Sequence, residues 1–274
     1  MTGGPDAWDC SLWQSPPDFP HVPLQSNQSP KCNCQTAASK RTTHENLGLN
    51  LPKKCVFAFL GAYIDEYASK SDTKQVSTFE SATKHYPIYI TKYKGEDIVL
   101  CQAPVGAAAA TQILDWLIGY GVREVISAGS CGALEKFPES TFLVPNKALR
   151  DEGTSYHYAP PSRFVEISEK ARKAIEETIL EHSMKYQEVI TWSTDGFFRE
   201  TKEKVAYRKS EGCAVVEMEC SALAACADFR GATWGMILYT ADSLADVDKY
   251  DERNWGGNAY EYALTLCLDA VIKL

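Results

Sequence analysis

The sequence predicts a single α/β domain, a mixed central β-sheet flanked by helices, preceded by an irregular N-terminal arm. Two observations lead there. From Lys54 onward, short apolar runs typical of buried strands alternate with stretches of helical spacing. A chain of 274 residues, 45% hydrophobic and 23% charged, also suits one large domain, or a domain with an appendage. Residues 1–45 stand apart from residues 46–274. Their stretch "SPPDFPHVPLQSNQSPKCNCQ" is rich in Pro, Ser, Asn and Gln and has no period, so it reads as an arm. The chain has no internal repeat.

The elements follow in order. Residues 54–60 read as a buried strand ended by Gly61. "YPIYITKYKGEDIVLCQAP" reads as two strands turned at Lys94 and Gly95. "AAAATQILDWLIGYG" has helical spacing and a stop at Gly121. "REVISAGSCGAL" reads as a buried strand running into a small-residue loop, and "TFLVPNKAL" as another strand. "ISEKARKAIEETILEHSMKY" is an amphipathic helix, and "EVITWSTD" and "CAVVEME" are strands. "CSALAACADFR" is a helix, "ATWGMILYTAD" a strand, and a last helix lies near "YEYALTLCLDAVIKL".

Composition excludes several functions. A net charge of -8, with no basic block, disfavours nucleic acid and a membrane surface as partners. No apolar run approaches the ~20 residues that a spanning helix needs. The start "MTGGPDAWDCSLW" has neither the basic residues nor the apolar stretch of a signal peptide. The 10 cysteines sit mostly in apolar strand or helix contexts, as reduced thiols of a cytoplasmic protein would. Cys32 and Cys34 lack partners at zinc-ligand spacing, so no metal site is expected.

In an α/β sheet, ligands bind at strand ends, and four strand ends are suggestive: Gly61, "SAGSCGAL", Glu217 with Glu219, and Asp242. The loop at 128–134 offers backbone N–H groups and the Ser130 hydroxyl to an anion or a hydroxyl, or is simply a tight turn. Glu217 and Glu219 lie two apart, so on extended chain they point the same way. They are a structural ion pair, a carboxylate at a helix N-terminus, or acceptors for a sugar diol. Asp242 is a turn or cap residue, or a general acid in a partly dry pocket. Phe197 and Phe198 are core, or one of them stacks on a flat base.

Together, "APVGAAAATQ", "SAGSCGAL", "TDGFF", "VVEMECSALAACA" and "YTAD" resemble the nucleoside phosphorylase-I superfamily over roughly residues 45–274. The resemblance implies cleavage of a nucleoside's N-glycosidic bond. Met218 and Glu219 would contact the ribose, alongside Glu217, and Phe197 would pack on the base. Asp242 would protonate the leaving base, Ser130 and Gly129 would contact phosphate or the sugar edge, and Arg253 would assist Asp242 or the base. "LRDEGTSYHYAP" (149–160) resembles the uridine phosphorylase branch, yet the Gln and Arg that read uracil are absent after Phe198.

The family's phosphorylases hold phosphate with arginines, whose positions here look like Asp65, Ile90 and Ser127. "GAYIDE" (61–66) instead resembles the opening of the nucleosidase branch, in which Gly61 belongs to the site and the position of Glu66 activates water. Hydrolysis of a purine-type nucleoside is therefore expected, without cofactor. The alternatives are phosphorolysis, with phosphate as co-substrate held by Lys70 or Arg150, and non-catalytic nucleoside binding. A homodimer or a trimer of dimers is the expected assembly.

Overall fold

The computed structural model describes residues 46–245 and 259–274, so the expected arm at 1–45 and Arg253 lie outside the described residues. Ten strands form one sheet. They are β1 (Lys54–Ala58), β2 (Thr73–Glu80), β3 (His85–Tyr93), β4 (Glu96–Gln102), β5 (Glu124–Ala133), β6 (Phe142–Asp151), β7 (Phe164–Glu166), β8 (Tyr186–Thr194), β9 (Cys213–Glu217) and β10 (Thr233–Ser243). Six α-helices accompany them among the described residues: α1 (Tyr63–Lys70), α2 (Ala107–Gly119), α3 (Glu169–Glu181), α4 (Lys202–Ser210), α5 (Cys220–Phe229) and α6 (Tyr260–Val271).

The strand order is β10-β6-β8-β9-β5-β1-β4-β3-β2, with β7 on β6 and a further pairing of β10 with β5. That last pairing closes β10, β6, β8, β9 and β5 into a ring. Pairing is mixed: β1–β4, β1–β5, β5–β10, β6–β8 and β8–β9 are parallel, and the others antiparallel. The α/β class with a mixed sheet is as the sequence predicts. β3 and β4 turn through Lys94 and Gly95, both with positive φ, as expected for a two-residue hairpin loop.

Helices cover both faces. Residues of α2 and α5, among them Ile113, Leu117, Leu223 and Cys226, pack with β1, β4 and β5 in one buried cluster. Residues of α1, α3 and α6, among them Ile64, Ile175 and Leu264, pack in a second. Burying apolar area on two faces is the main stabilising term for a sheet of this size. α3 begins at Ser168, whose Oγ accepts from the Ala171 N–H at 3.4 Å, and α4 begins at Thr201 in the same way.

Four elements escaped the sequence pattern, the three-residue β7 among them. α1 is short, β2 ("TKQVSTFE") has no buried residue, and α4 ("KEKVAYRKS") buries only Val205 and Arg208. None carries the apolar period that marks a buried element. The stretch "SAGSCGA" is not a loop: β5 runs on as strand to Ala133 and pairs with β10 and β9.

α2 and α5 are tied by an ion pair between a buried carboxylate and an exposed arginine. Arg230, just after α5, donates from Nε and Nη2 to Asp115 of α2 at 2.7 and 2.9 Å, and Tyr158 Oη donates to the same carboxylate at 2.9 Å. A paired fork is stronger than a point contact. Arg230→Ala leaves a buried carboxylate with one neutral donor and should cost about 2 kcal/mol in urea unfolding, Arg230→Lys about half as much.

Candidate functional site

The site begins at the junction of β9 and α5. A helix starts with N–H groups that have no partner inside it. Here Glu217, the last residue of β9, supplies one: its Oε2 accepts from the N–H groups of Glu219 and Cys220, both at 2.7 Å. Its Oε1 accepts from Ser193 Oγ at 2.6 Å and Thr191 Oγ1 at 3.2 Å, which ties β8 to the junction. Ser193 Oγ in turn accepts from the Ser221 N–H at 2.9 Å.

The chain leaves the extended conformation at Glu219, with φ -138° and ψ -24°. Both carboxylates, expected to point the same way, line one cavity, but they take different partners. Glu217 lines the cavity but spends both oxygens on protein donors, so it holds the junction and does not await a ligand. Glu219 Oε1 accepts from the Gly106 N–H at 2.5 Å, across the start of α2. Gly106 has φ +102°, which a residue with a Cβ adopts only under strain.

Both carboxylates are buried. Burial pushes Glu217 up, opposed by Ser193, two backbone N–H groups and Thr191. Because every partner donates, Glu217 is the member that carries the charge. Burial first, then the Glu217 charge, pushes Glu219 up to about 8.

These residues open onto a cavity of about 450 Å³. Its wall includes Phe59, Val105, Phe197, Met218 and Met236 among apolar residues, and Ser130, Glu200, Glu219 and Asp242 among polar ones. Gly129 and Gly132 of β5 form one side. A Cβ on Gly132 would stand 2.9 Å from Val216 Cγ1 and 3.4 and 3.5 Å from the Asp242 carboxylate oxygens. A Cβ on Gly129 would stand 3.0 Å from Met236 Cε and 3.3 Å from Phe59. The glycines thus serve close approach across the ring of strands, not a turn. Asp242, near the end of β10, is 6% exposed. Phe197, in a 3-10 turn after β8, lines the cavity and is 37% exposed, with the ring of the exposed Phe198 against it.

The structure therefore gathers Ser130, Gly129, Phe197, Glu217, Met218, Glu219 and Asp242 around one cavity. It does not bring Glu66 or Gly61 there. On α1, Ile64 and Ala68 face the core, and helical spacing turns Glu66, midway between them, to solvent. Gly61 makes the exposed left-handed turn before α1.

Arg150 is also elsewhere. It is 1% exposed, donating to Ser155 Oγ, Ser162 Oγ and the carbonyls of Ala159 and Pro160, with its guanidinium 3.9 Å from the Tyr156 ring. Glu152 from the same stretch accepts from the N–H groups of Thr154 and Ser155 and from Ser221 Oγ at 2.9 Å. "LRDEGTSYHYAP" thus buttresses α5 and does not line the cavity.

Lys70 is exposed at the end of α1. Asp65 accepts from Tyr89 Oη, Ile90 lies in β3, and Ser127 is buried under Trp234, whose Nε1 donates to it at 3.0 Å. No lysine or arginine lines the cavity among the described residues. Nor do the described residues contain a cluster fit for a metal ion. Sequence reasoning missed Glu200, which lines the cavity. Its signal, a lone carboxylate in the charged run "RETKEK", looks like surface.

A model of the phosphorylase superfamily matches residues 53–273. The 5'-methylthioadenosine/S-adenosylhomocysteine nucleosidase of Buchnera aphidicola is 30% identical over 158 residues, 53% of this chain and 67% of that protein. The guanosine phosphorylase of Halorubrum lacusprofundi is 24% identical over 77% of this chain and 89% of its own length. A uridine phosphorylase structure from Vibrio fischeri superposes with a TM-score of 0.72 at 23% identity, over 86% of this chain and 99% of that one. An AMP nucleosidase structure from Bacteroides thetaiotaomicron has a TM-score of 0.66 at 22% identity, over 81% and 88%.

Two outcomes follow from this geometry. Gly132→Ala should cost about 1–3 kcal/mol in urea unfolding, because Val216 must move. Glu219 holds a proton in the folded state up to about 8, against an ordinary value of 4.5, so the unfolded chain binds fewer protons in between. Stability from this group should fall as pH rises from about 5 to about 8, and Glu219→Gln should flatten that slope.

Proposed function

The chain belongs to the phosphorylase superfamily, and on that footing we propose that it cleaves the N-glycosidic bond of a purine-type nucleoside by hydrolysis. One observation carries this: a single cavity holds an aromatic ring, the buried carboxylates Glu217, Glu219 and Asp242, and no cation among its described lining residues. Phe197 packs on the base. Met218 and Glu219 hold the ribose, with Glu217 fixing the turn that presents them. Ser130 and Gly129 lie at the sugar edge.

Asp242 is the general acid. The bond breaks through an oxocarbenium-like state, and the base leaves poorly as an anion. A proton from Asp242 to a ring nitrogen removes that obstacle, an effect of roughly 10²–10⁴-fold. The sugar cation then needs an acceptor. A phosphate dianion is held well only by charge-assisted contacts, ideally from arginine. Water needs none, so water is the acceptor. Glu66, on the solvent face of α1, is left without a part.

Phosphorolysis is the second possibility, favoured by the broad coverage of the guanosine phosphorylase relative. The chain is further proposed to be a cytoplasmic homo-oligomer. The seven described cysteines are free and buried, which suits a reducing compartment. Val105 on the cavity wall and Phe198 beside Phe197, 72% and 93% exposed, suit a second copy as cover.

Inosine, adenosine, methylthioadenosine and uridine, each with and without phosphate, should release base at rates that phosphate leaves unchanged, and yield free ribose or its 5'-modified form. Turnover that requires phosphate, with a sugar 1-phosphate as product, would instead establish phosphorolysis. Asp242→Asn should lower kcat on purine nucleosides by about 10²-fold or more while sparing p-nitrophenyl riboside, whose leaving group needs no proton. Glu219→Gln should slow ribonucleosides more than 2'-deoxynucleosides.

A further inference from the structure

α4 has no apolar stripe. It buries only Val205 and Arg208, so hydrophobic packing gives it few fixed points on the sheet. Charge supplies others. Asp151, the last residue of β6, meets three donors at its Oδ2 atom. The Trp192 indole N–H of β8 donates at 2.9 Å, and Lys204 Nζ and Arg208 Nη2 of α4 lie at 3.0 and 3.1 Å. Both cations also stand over the Trp192 ring, at 5.3 and 5.4 Å from its centre. Arg208 Nη1 donates to Glu211 at 2.8 Å, which fixes the guanidinium from its other side. Burial raises the Asp151 carboxyl, but Lys204 and Arg208 outweigh it and hold it below its ordinary value, as the anion that both require.

The same end of β6 holds the chain that precedes α4. Residues 195–201 join β8 to α4 and carry Phe197 and Glu200, both on the cavity wall. At the start of this segment the Asp195 N–H donates to the Asp151 carbonyl at 3.4 Å, and Asp195 Oδ2 accepts from the Gly153 N–H at 3.0 Å. At its end come Lys204 and Arg208. The segment is therefore fastened at both ends to residues 151–153, with Phe197 between the fastenings.

Resting on the nucleoside function above, we propose that Asp151 is a positioning residue for the base: by tying α4 to the end of β6, its carboxylate fixes the segment that sets the Phe197 ring on the cavity wall. Asp151 does not itself line the cavity. It acts through the ring. An ion cluster that only stabilised α4 would change the amount of folded protein and leave the affinity for a flat base alone.

Stacking on a base holds substrate and transition state alike, so loosening it raises KM and spares kcat. Asp151→Asn drops the charge that holds α4. KM for purine nucleosides should rise about tenfold, with kcat nearly unchanged. Asp151→Glu keeps the charge and should recover most of the loss. Lys204→Gln, at the more exposed cation, should give a smaller rise in KM, and it carries the same test if Asp151→Asn does not fold. In a Phe197→Ala background Asp151→Asn should add no further rise, because both act through one ring. Hydrogen exchange needs no turnover: in Asp151→Asn the amides of 195–201 should exchange faster, while those of β5 keep wild-type rates. An unchanged KM, a fall in kcat alone, or losses that add to those of Phe197→Ala overturn the proposal. A wild type that releases no base from any nucleoside sinks the nucleoside function itself. Exchange tells that failure apart, since unchanged rates at 195–201 in Asp151→Asn overturn the anchor whatever the activity.

Discussion

The Glu217 carboxylate is the contact on which the site depends. It sits where β9 stops and α5 starts, and it meets donors from β8 and from the first turn of the helix. A buried carboxylate without partners is costly, and orphan N–H groups at a helix start are costly too. Placing one against the other resolves both. The position of Glu219, and the direction in which its carboxyl points, follow from that turn. So does its proton, because the Glu217 charge and burial together disfavour a second charge nearby.

The ring of strands supplies the opposite wall. β5 pairs with β1, β10 and β9, which is possible only if its far end lets other chains come close. Gly132 admits Val216 and Asp242, and Gly129 admits Met236 and Phe59. Small residues there make the wall thin enough for the acid at the end of β10 to reach the cavity.

Charge then narrows the chemistry. The described cavity wall is apolar and acidic, and the arginine Arg150 is locked among neutral partners away from it. Such a wall suits a neutral nucleoside and a cationic sugar in the transition state. It suits a dianionic co-substrate poorly.

The sequence by itself determined the fold class, most strands and helices, and seven residues around the cavity. These are properties of local pattern: apolar runs, helical spacing, and short motifs such as "VEME" and "YTAD". It misplaced what depends on direction. Glu66 was assigned to the site by its neighbours in the chain, but the helical period of α1 turns it outward. Glu217 and Glu219 read as one pair along the chain, but Glu217 is taken up by β8 and the first turn of α5, and Glu219 by the Gly106 N–H. "SAGSCGAL" was taken for a loop because glycines usually mark turns, whereas here they mark close approach between strands. Glu200 had no pattern at all, since a carboxylate in a charged run looks solvated until a distant strand brings Asp242 to the same cavity. Tertiary structure alone decided these points, because side-chain direction and the distance between remote strands are set by packing rather than by order along the chain.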